Sequence, residues 1–164
     1  MTTHSKLSPS SRSRWAYCPG SVREILKYPP KPSGEAAKQG THDHSLLEKC
    51  INDCKDATNY VGLTLKDHEG EFIVDAERAE RVQFAISHIE KRMVELNADI
   101  VIAERKVSLT GLTGRDDLDG TVDITILSGV SKTLELMDYK GGMNPTDARE
   151  QLEQYAVGVV SEIQ

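Results

Sequence analysis

Gly120-Thr121-Val122-Asp123-Ile124-Thr125-Ile126-Leu127, followed after a short polar turn by Thr133-Leu134-Glu135-Leu136-Met137-Asp138-Tyr139-Lys140, reads as two successive strands. Both runs are rich in β-branched or aliphatic residues and are bounded by glycine, serine and aspartate. Ile100 to Leu109 predicts a third strand just upstream. The connections are short enough for an antiparallel meander. Strict alternation puts Val122, Ile124 and Ile126 on one face and Thr121, Asp123 and Thr125 on the other. Asp138 and Lys140, two residues apart, then point the same way.

Helical patterns surround these strands. Asp75 predicts the N-cap of a helix whose apolar stripe is Val82, Ile86, Ile89, Met93 and Leu96. A longer helix is predicted from about Glu35 to Cys54, with His44, Leu47, Ile51 and Cys54 spaced as one buried face. Lys55 to Val74 lacks a sustained period and reads as loop, with room for one short strand. Asn144-Pro145 or Thr146 opens a last helix with Leu152, Ala156, Val159 and Ile163 near one face. At the other end, Ser8-Pro9 starts a short helix, and Cys18-Pro19-Gly20-Ser21 closes it and caps a second. The proline-rich run from Pro29 to Gly34 is a connector. Helices, three strands, helix: this order predicts an α/β layered domain over 35–164, with 1–34 as a basic helical segment and linker packed on it.

A length of 164 residues with 38% hydrophobic and 28% charged side chains fits one globular domain. No apolar run approaches the ~20 residues needed to cross a bilayer, and no apolar region follows Met1, which predicts a cytoplasmic protein without a membrane partner. Cys18, Cys50 and Cys54 are an odd number and read as reduced thiols. The net charge of -6 excludes a generally basic coat for nucleic acid. From Met1 to Gly34, however, Lys6, Arg12, Arg14, Arg23, Lys27 and Lys31 face a single acid, Glu24. That segment is either a solvated helix face or a phosphate-contacting arm.

If the last two strands are neighbours, Asp123 meets Asp138, and two such carboxylates repel unless a divalent cation lies between them. Magnesium suits such a site because it takes oxygen ligands and keeps waters that a phosphate oxygen can replace. Lys140 beside it could orient or help deprotonate an attacking water. Asp-x-Lys alone is also a common surface ion pair.

Four spacings taken together are more specific. Gly40-x-x-x-His44, Gly120-x-x-Asp123, Asp138-x-Lys140 and Gln151-x-x-x-Tyr155 resemble, in order, the G-x-x-x-H, G-x-x-D, D-x-K and Q-x-x-x-Y motifs of RecB-type nucleases in the PD-(D/E)XK superfamily. The opening Leu7-Ser8-Pro9-Ser10-Ser11, Arg14-Trp15 and Cys18-Pro19-Gly20-Ser21 looks like a phage-associated family of uncharacterised proteins assigned to that superfamily. The resemblance implies a restriction-endonuclease-like core and Mg2+- or Mn2+-dependent hydrolysis of DNA, exonucleolytic, in a phage or prophage setting within a bacterial cytoplasm. DNA is the implied partner, with a phage recombination protein as a further one. It assigns His44, Asp123, Asp138 and Tyr139 to the metal, Asp123, Asp138 and Lys140 to catalysis, and Gln151 and Tyr155 to substrate. Such folds continue past the Q-x-x-x-Y helix into another strand, so a chain ending at Gln164 reads as a fragment. Iron–sulfur members carry three cysteines after the core; none follows Cys54 here, and no cluster is expected.

Other readings of the same residues stay open. His44 lies on the apolar seam and fits a buried, hydrogen-bonded histidine as well as a ligand. His42, His44, Cys50 and Cys54 would suit zinc in a helical interaction protein. A nuclease fold without activity would serve as a DNA-binding or assembly module. Glu104 faces either the metal or solvent, and Asp116, Asp117 and Asp119 read as turn chemistry. Trp15 and Tyr17 either pack the first helix or stack on bases.

Overall fold

The computed structural model describes residues 5–29, 32–141 and 147–163. A 3-10 turn, Pro9–Ser11, leads into α1 (Arg12–Tyr17), α2 (Gly20–Ile25) and the long α3 (Glu35–Asp53). A second 3-10 turn, Ala57–Tyr60, precedes β1 (Thr64–Lys66), β2 (Glu71–Ile73) and α4 (Ala76–Glu95). Then come β3 (Ile100–Val107), a one-turn α5 (Thr110–Thr113), β4 (Gly120–Ser128), β5 (Thr133–Met137) and α6 (Arg149–Ile163). The result is a mixed α/β structure in which two small antiparallel sheets, β1-β2 and the meander β3-β4-β5, are flanked by helices.

Two of these elements differ from expectation in extent. Lys55 to Val74 contains a 3-10 turn and a complete hairpin, with Thr64 opposite Ile73, because three-residue strands are too short to show a period. The last strand stops at Met137, so Asp138, Tyr139 and Lys140 lie beyond the ladder rather than within it.

α4 follows its predicted stripe: Asp75 Oδ1 accepts from the Arg78 N–H at 2.7 Å, and Val82, Ile86 and Ile89 are buried. α3 is rotated by about one position from expectation. Asp43, Leu46, Leu47 and Cys50 form its buried face, His44 and Ile51 are half-buried, and Cys54 is exposed at the left-handed C-cap. The rotation arises because α3 packs mainly on α4 and β3, and also touches the Ala57–Tyr60 turn, burying Leu46, Leu47 and Cys50 together with Tyr60, Val82, Ile86, Ile124 and Ile126. Arg92 of α4 adds a two-pronged bond to Glu135 of β5, at 2.9 and 2.6 Å, which fixes that helix on the sheet.

On the opposite side, Val107, Val122, Tyr155 and Val159 form a second cluster with Leu134, Leu136 and Leu152. Val122 and Ile124, two residues apart on β4, therefore pack on different helices, and the predicted single apolar row is broken between them. The break coincides with a defect in the ladder: Ala103 pairs with Ile124 and Arg105 with Val122, but Glu104 and Asp123, which lie between, form no rung. Glu104 has φ +48°, a left-handed value inside a strand. Cys54, Asn97 and Lys132 share that region but sit at helix ends or a turn. A non-glycine residue held there costs on the order of 1–3 kcal/mol, and such strain clusters at functional sites.

The start expected for the last helix, Asn144 to Thr146, lies outside the described residues. Tyr155, Gly158 and Val159 of α6 are buried, whereas Ile163, expected on the seam, is 57% exposed. A Cβ added at Gly158 would overlap Val107 Cγ1, so the helix needs a glycine to approach β3 this closely. Gly158→Ala is expected to destabilise by about 1–2 kcal/mol: overpacking costs typically 1–3, offset in part by alanine's helix propensity. Chemical denaturation should show a lower midpoint at unchanged slope. The N-terminal segment lies against the same helix, where Arg12 Nη1 donates to the Glu150 carbonyl at 2.6 Å and the Tyr17 hydroxyl to Glu150 Oε1 at 2.9 Å. Trp15 is half-buried and donates to the Ser8 carbonyl at 3.0 Å, which matches the packing reading. Among the described residues, no helix is long and apolar enough to cross a membrane.

Candidate metal centre

His44 lies one turn past Gly40 on α3 and points at the ladder defect. Its Nδ1 is 3.2 Å from Glu104 Oε1 and 3.7 Å from Asp123 Oδ2. The left-handed backbone at Glu104 lets this carboxylate and Asp123, directly opposite on β4, turn together towards α3. Like charges opposite one another on neighbouring strands are destabilising, so something must compensate them. Ligand atoms of His44, Glu104 and Asp123 all fall within 4.8 Å of one another, close enough to share one cation. Tyr139, expected among the ligands, meets the centre through its main-chain N–H, which donates to Asp123 Oδ2 at 2.6 Å, and packs its ring edge-on to His44 at 5.3 Å.

Asp138 stands to one side. Lys140 Nζ straddles its carboxylate at 2.9 and 2.8 Å, and Gln151 Nε2 donates to Oδ1 at 2.9 Å. Residues of the four motifs thus come together in two linked sets: His44 with Asp123, and Asp138 with Lys140 and Gln151. Glu104 joins the first set, which spacing alone does not reveal; its only signal is an acid that follows the apolar residues Ile100 to Ala103 within a strand. Tyr155 is buried on the Gly120 backbone, where an added Cβ would come within 2.8 Å of its ring and of Pro9. The glycine of G-x-x-D and the tyrosine of Q-x-x-x-Y are therefore partners in one close contact.

The electrostatics match this geometry. Burial pushes the Asp123 carboxyl up to about 6, with the Asp138 and Glu104 charges acting the same way against His44 and the Tyr139 N–H. Burial alone would lower the His44 pKa, but the Glu104 hydrogen bond and the Asp123 charge outweigh it and raise it. Burial, and then the Asp123 and Asp138 charges, raise the Tyr155 phenol to about 12, so it remains neutral. Both raised centre groups act with one sign: their contribution to stability is present at low pH and lost as pH rises. For Asp123 the window runs from the ordinary 3.8 to about 6, and for His44 it lies above 6.5. In EDTA, the melting temperature is expected to fall from pH 5 to pH 8 by an amount worth at least about 1 kcal/mol from Asp123, with His44 acting in the same direction, and excess Mn2+ at pH 8 should restore it. Scanning calorimetry at the two pH values checks this; a flat profile in EDTA would remove the strain from the centre.

Other candidates go elsewhere. His42 Nδ1 lies 2.6 Å from Asp67 Oδ2, and the imidazole stacks on Phe72 at 4.3 Å. Cys50 is in the core, its thiol pushed up to about 11 by burial and the charges of Asp53 and Asp56, and Cys54 is exposed. Among the described residues the histidines and cysteines do not converge, so the zinc reading has no site. Asp117 pairs with Arg115 and Asp119 accepts from Ser108, as turn chemistry predicts. No motif or spacing points to Asp43, which is buried on α3 beside His44 and held by Arg78 at 2.8 Å and Arg81 at 3.2 Å. It lies next to Tyr139, whose hydroxyl is raised to about 12 by burial and by the Asp43 charge. This buried pair anchors α3 to α4 behind the centre.

Fold and site define a mixed α/β protein whose strained central strand pair and leading helix hold one imidazole against two carboxylates. The chain belongs to the family described as Protein of unknown function (DUF2800), which matches residues 4–164. No solved structure matches it.

Proposed function

We propose that the protein is a divalent-metal-dependent nuclease of the PD-(D/E)XK type, acting on DNA phosphodiester bonds. The observation that carries the reading is the convergence of His44, Glu104 and Asp123 at a ladder defect, on residues drawn from two of the four motifs. The order of helix, three-stranded meander and helix also agrees with a restriction-endonuclease-like core. One nitrogen and two carboxylates fit a hard or borderline cation, and the imidazole makes Mn2+ a better match than Mg2+. A divalent cation there would supply Lewis-acid stabilisation of charge on a phosphate oxygen. His44, Glu104 and Asp123 would hold it, with Asp138 close enough for its charge to act on Asp123. Lys140 would orient the attacking water, and Gln151 would keep Asp138 and Lys140 in register with it. Tyr155, neutral and packed on Gly120, would fix α6 beside the strand that carries Asp123. A phage setting, exonucleolytic polarity and a recombination partner are the extension that the motif resemblance suggests.

One observation favours a second reading, a nuclease-type fold that binds DNA or assembles without cutting it: Lys140 and Gln151 already occupy Asp138. Incubating purified protein with linear and closed circular DNA, in Mg2+, Mn2+ or EDTA, separates the two. Metal-dependent loss of linear DNA, abolished by His44→Ala and retained by His42→Ala, is the expected result. Binding without cleavage in either metal would leave the second reading standing.

A further inference from the structure

We infer that the basic, tyrosine-bearing segment from Lys6 to Tyr28 is a binding surface for single-stranded nucleic acid. Delivery of that strand to the metal centre rests on the nuclease reading, whereas the binding itself does not. The charge distribution requires such a surface for any polyanionic ligand. The chain carries -6 overall, and its candidate centre gathers Glu104, Asp123 and Asp138, which would repel phosphate. Between residues 5 and 29, by contrast, Lys6, Arg12, Arg14, Arg23 and Lys27 face Glu24 alone. Arg12 is committed to α6, through Glu150 and Glu153, and Lys27 pairs with Glu24 at 2.6 Å. Lys6, Arg14 and Arg23 are exposed and make no ion pair among the described residues.

Exposed aromatic surface gives the ligand's second feature. Tyr17 is 78% exposed and Tyr28 70%, with Leu26 close by at 63%. The Tyr17 hydroxyl is pinned to Glu150 while its ring faces stay open, which makes a fixed platform. Rings beside cations suit unpaired bases, whose faces can stack on tyrosine while phosphates meet arginine; duplex bases already stack on each other. An acidic protein would satisfy the cations but not the ring faces. Position completes the case: Pro9 abuts Gly120 at the Tyr155 contact, and Glu150, which holds both Arg12 and Tyr17, precedes Gln151, the residue that grips Asp138.

Fluorescence anisotropy of the full chain with a labelled oligothymidine of ~20 nucleotides, in EDTA so that no cleavage intervenes, tests the surface. Wild type is expected to bind the strand more tightly than a duplex of equal length. Tyr28→Ala should weaken it about tenfold, the effect of losing one stacked base. The double variant Arg14→Ala/Arg23→Ala should flatten the salt dependence of log K by about 1.4, or ~0.7 per lost phosphate contact. Matching melting temperatures guard against unfolding. Equal or tighter duplex binding, an unaltered Tyr28→Ala affinity, or displacement of the strand by polyglutamate as readily as by unlabelled oligonucleotide would overturn the proposal. Strand binding as expected without metal-dependent cleavage would defeat the nuclease reading alone; cleavage with variants that bind and cut like wild type would defeat this surface alone.

Discussion

Asp123→Asn is expected to abolish binding of a divalent cation while making the metal-free protein more stable at pH 8. The amide keeps an oxygen to accept the Tyr139 N–H, now at 2.6 Å from Oδ2, so the path of the chain after β5 should persist. Its nitrogen can donate towards Glu104, turning a repulsive cross-strand pair into a neutral contact. The carboxylate it replaces is destabilised by burial and by two acidic neighbours, hence its rise to about 6. Removing that charge should return about 2–3 kcal/mol at pH 8 and little at pH 3, below both the ordinary value and the folded one, where the carboxyl is mostly protonated in either state. A metal site that is strained when empty is a site selected for its ligand rather than for stability. Mn2+ calorimetry should show no heat of binding, and DNA cleavage, under the nuclease reading, should fall by a factor of at least ~10². Wild-type Mn2+ affinity in Asp123→Asn would remove Asp123 from the ligand set.

The parts of this fold legible in the sequence are those with long periods. The stripe Val82, Ile86, Ile89 on α4 and the alternation along β4 and β5 gave the mixed α/β class and the meander. Shorter signals carry less: three-residue strands such as Thr64–Lys66 cannot display alternation and are indistinguishable in sequence from a loop. The α3 face was misplaced because His44, Leu47, Ile51 and Cys54 and the true face Asp43, Leu46, Leu47, Cys50 differ by one position, and burial of a charged Asp43 depends on Arg78 and Arg81, thirty-five or more residues away. At the site, His44 and Asp123 were named from motif spacing and do meet. Alternation cannot decide where Glu104 faces because it assumes an intact ladder, and only the missing rung opposite Asp123 turns its side chain inward. The same defect explains why Val122 and Ile124 part company. Local rules broke down where the backbone is strained, as expected of a functional position.

Lys140→Met should separate chemistry from metal binding by the widest margin. The two sets of side chains are distinct: His44, Glu104 and Asp123 at the candidate cation site, and Lys140 with Gln151 around Asp138. Methionine keeps most of the stem, so β5 and the chain beyond it should hold. The Asp138 side chain is 4% exposed and retains the Gln151 amide as a donor after the ammonium is lost. Lys140 itself is 44% exposed, so solvent already screens the pair, and a stability loss of no more than about 1 kcal/mol is expected. Affinity for Mn2+ should persist or rise, since a positive charge near His44 has gone. Cleavage should nevertheless fall by ~10²–10⁴-fold, the usual contribution of a positioned acid–base group. Asp138→Asn provides the contrast: it removes the carboxylate that holds Lys140 and that raises the Asp123 pKa, so it should lower cleavage while changing the pH at which Mn2+ binds. Single-turnover cleavage and Mn2+ titration of both variants, alongside thermal melts, give the comparison. If Lys140→Met cuts DNA at the wild-type rate, the lysine is only the surface partner of Asp138, and the D-x-K resemblance carries no chemistry in this chain.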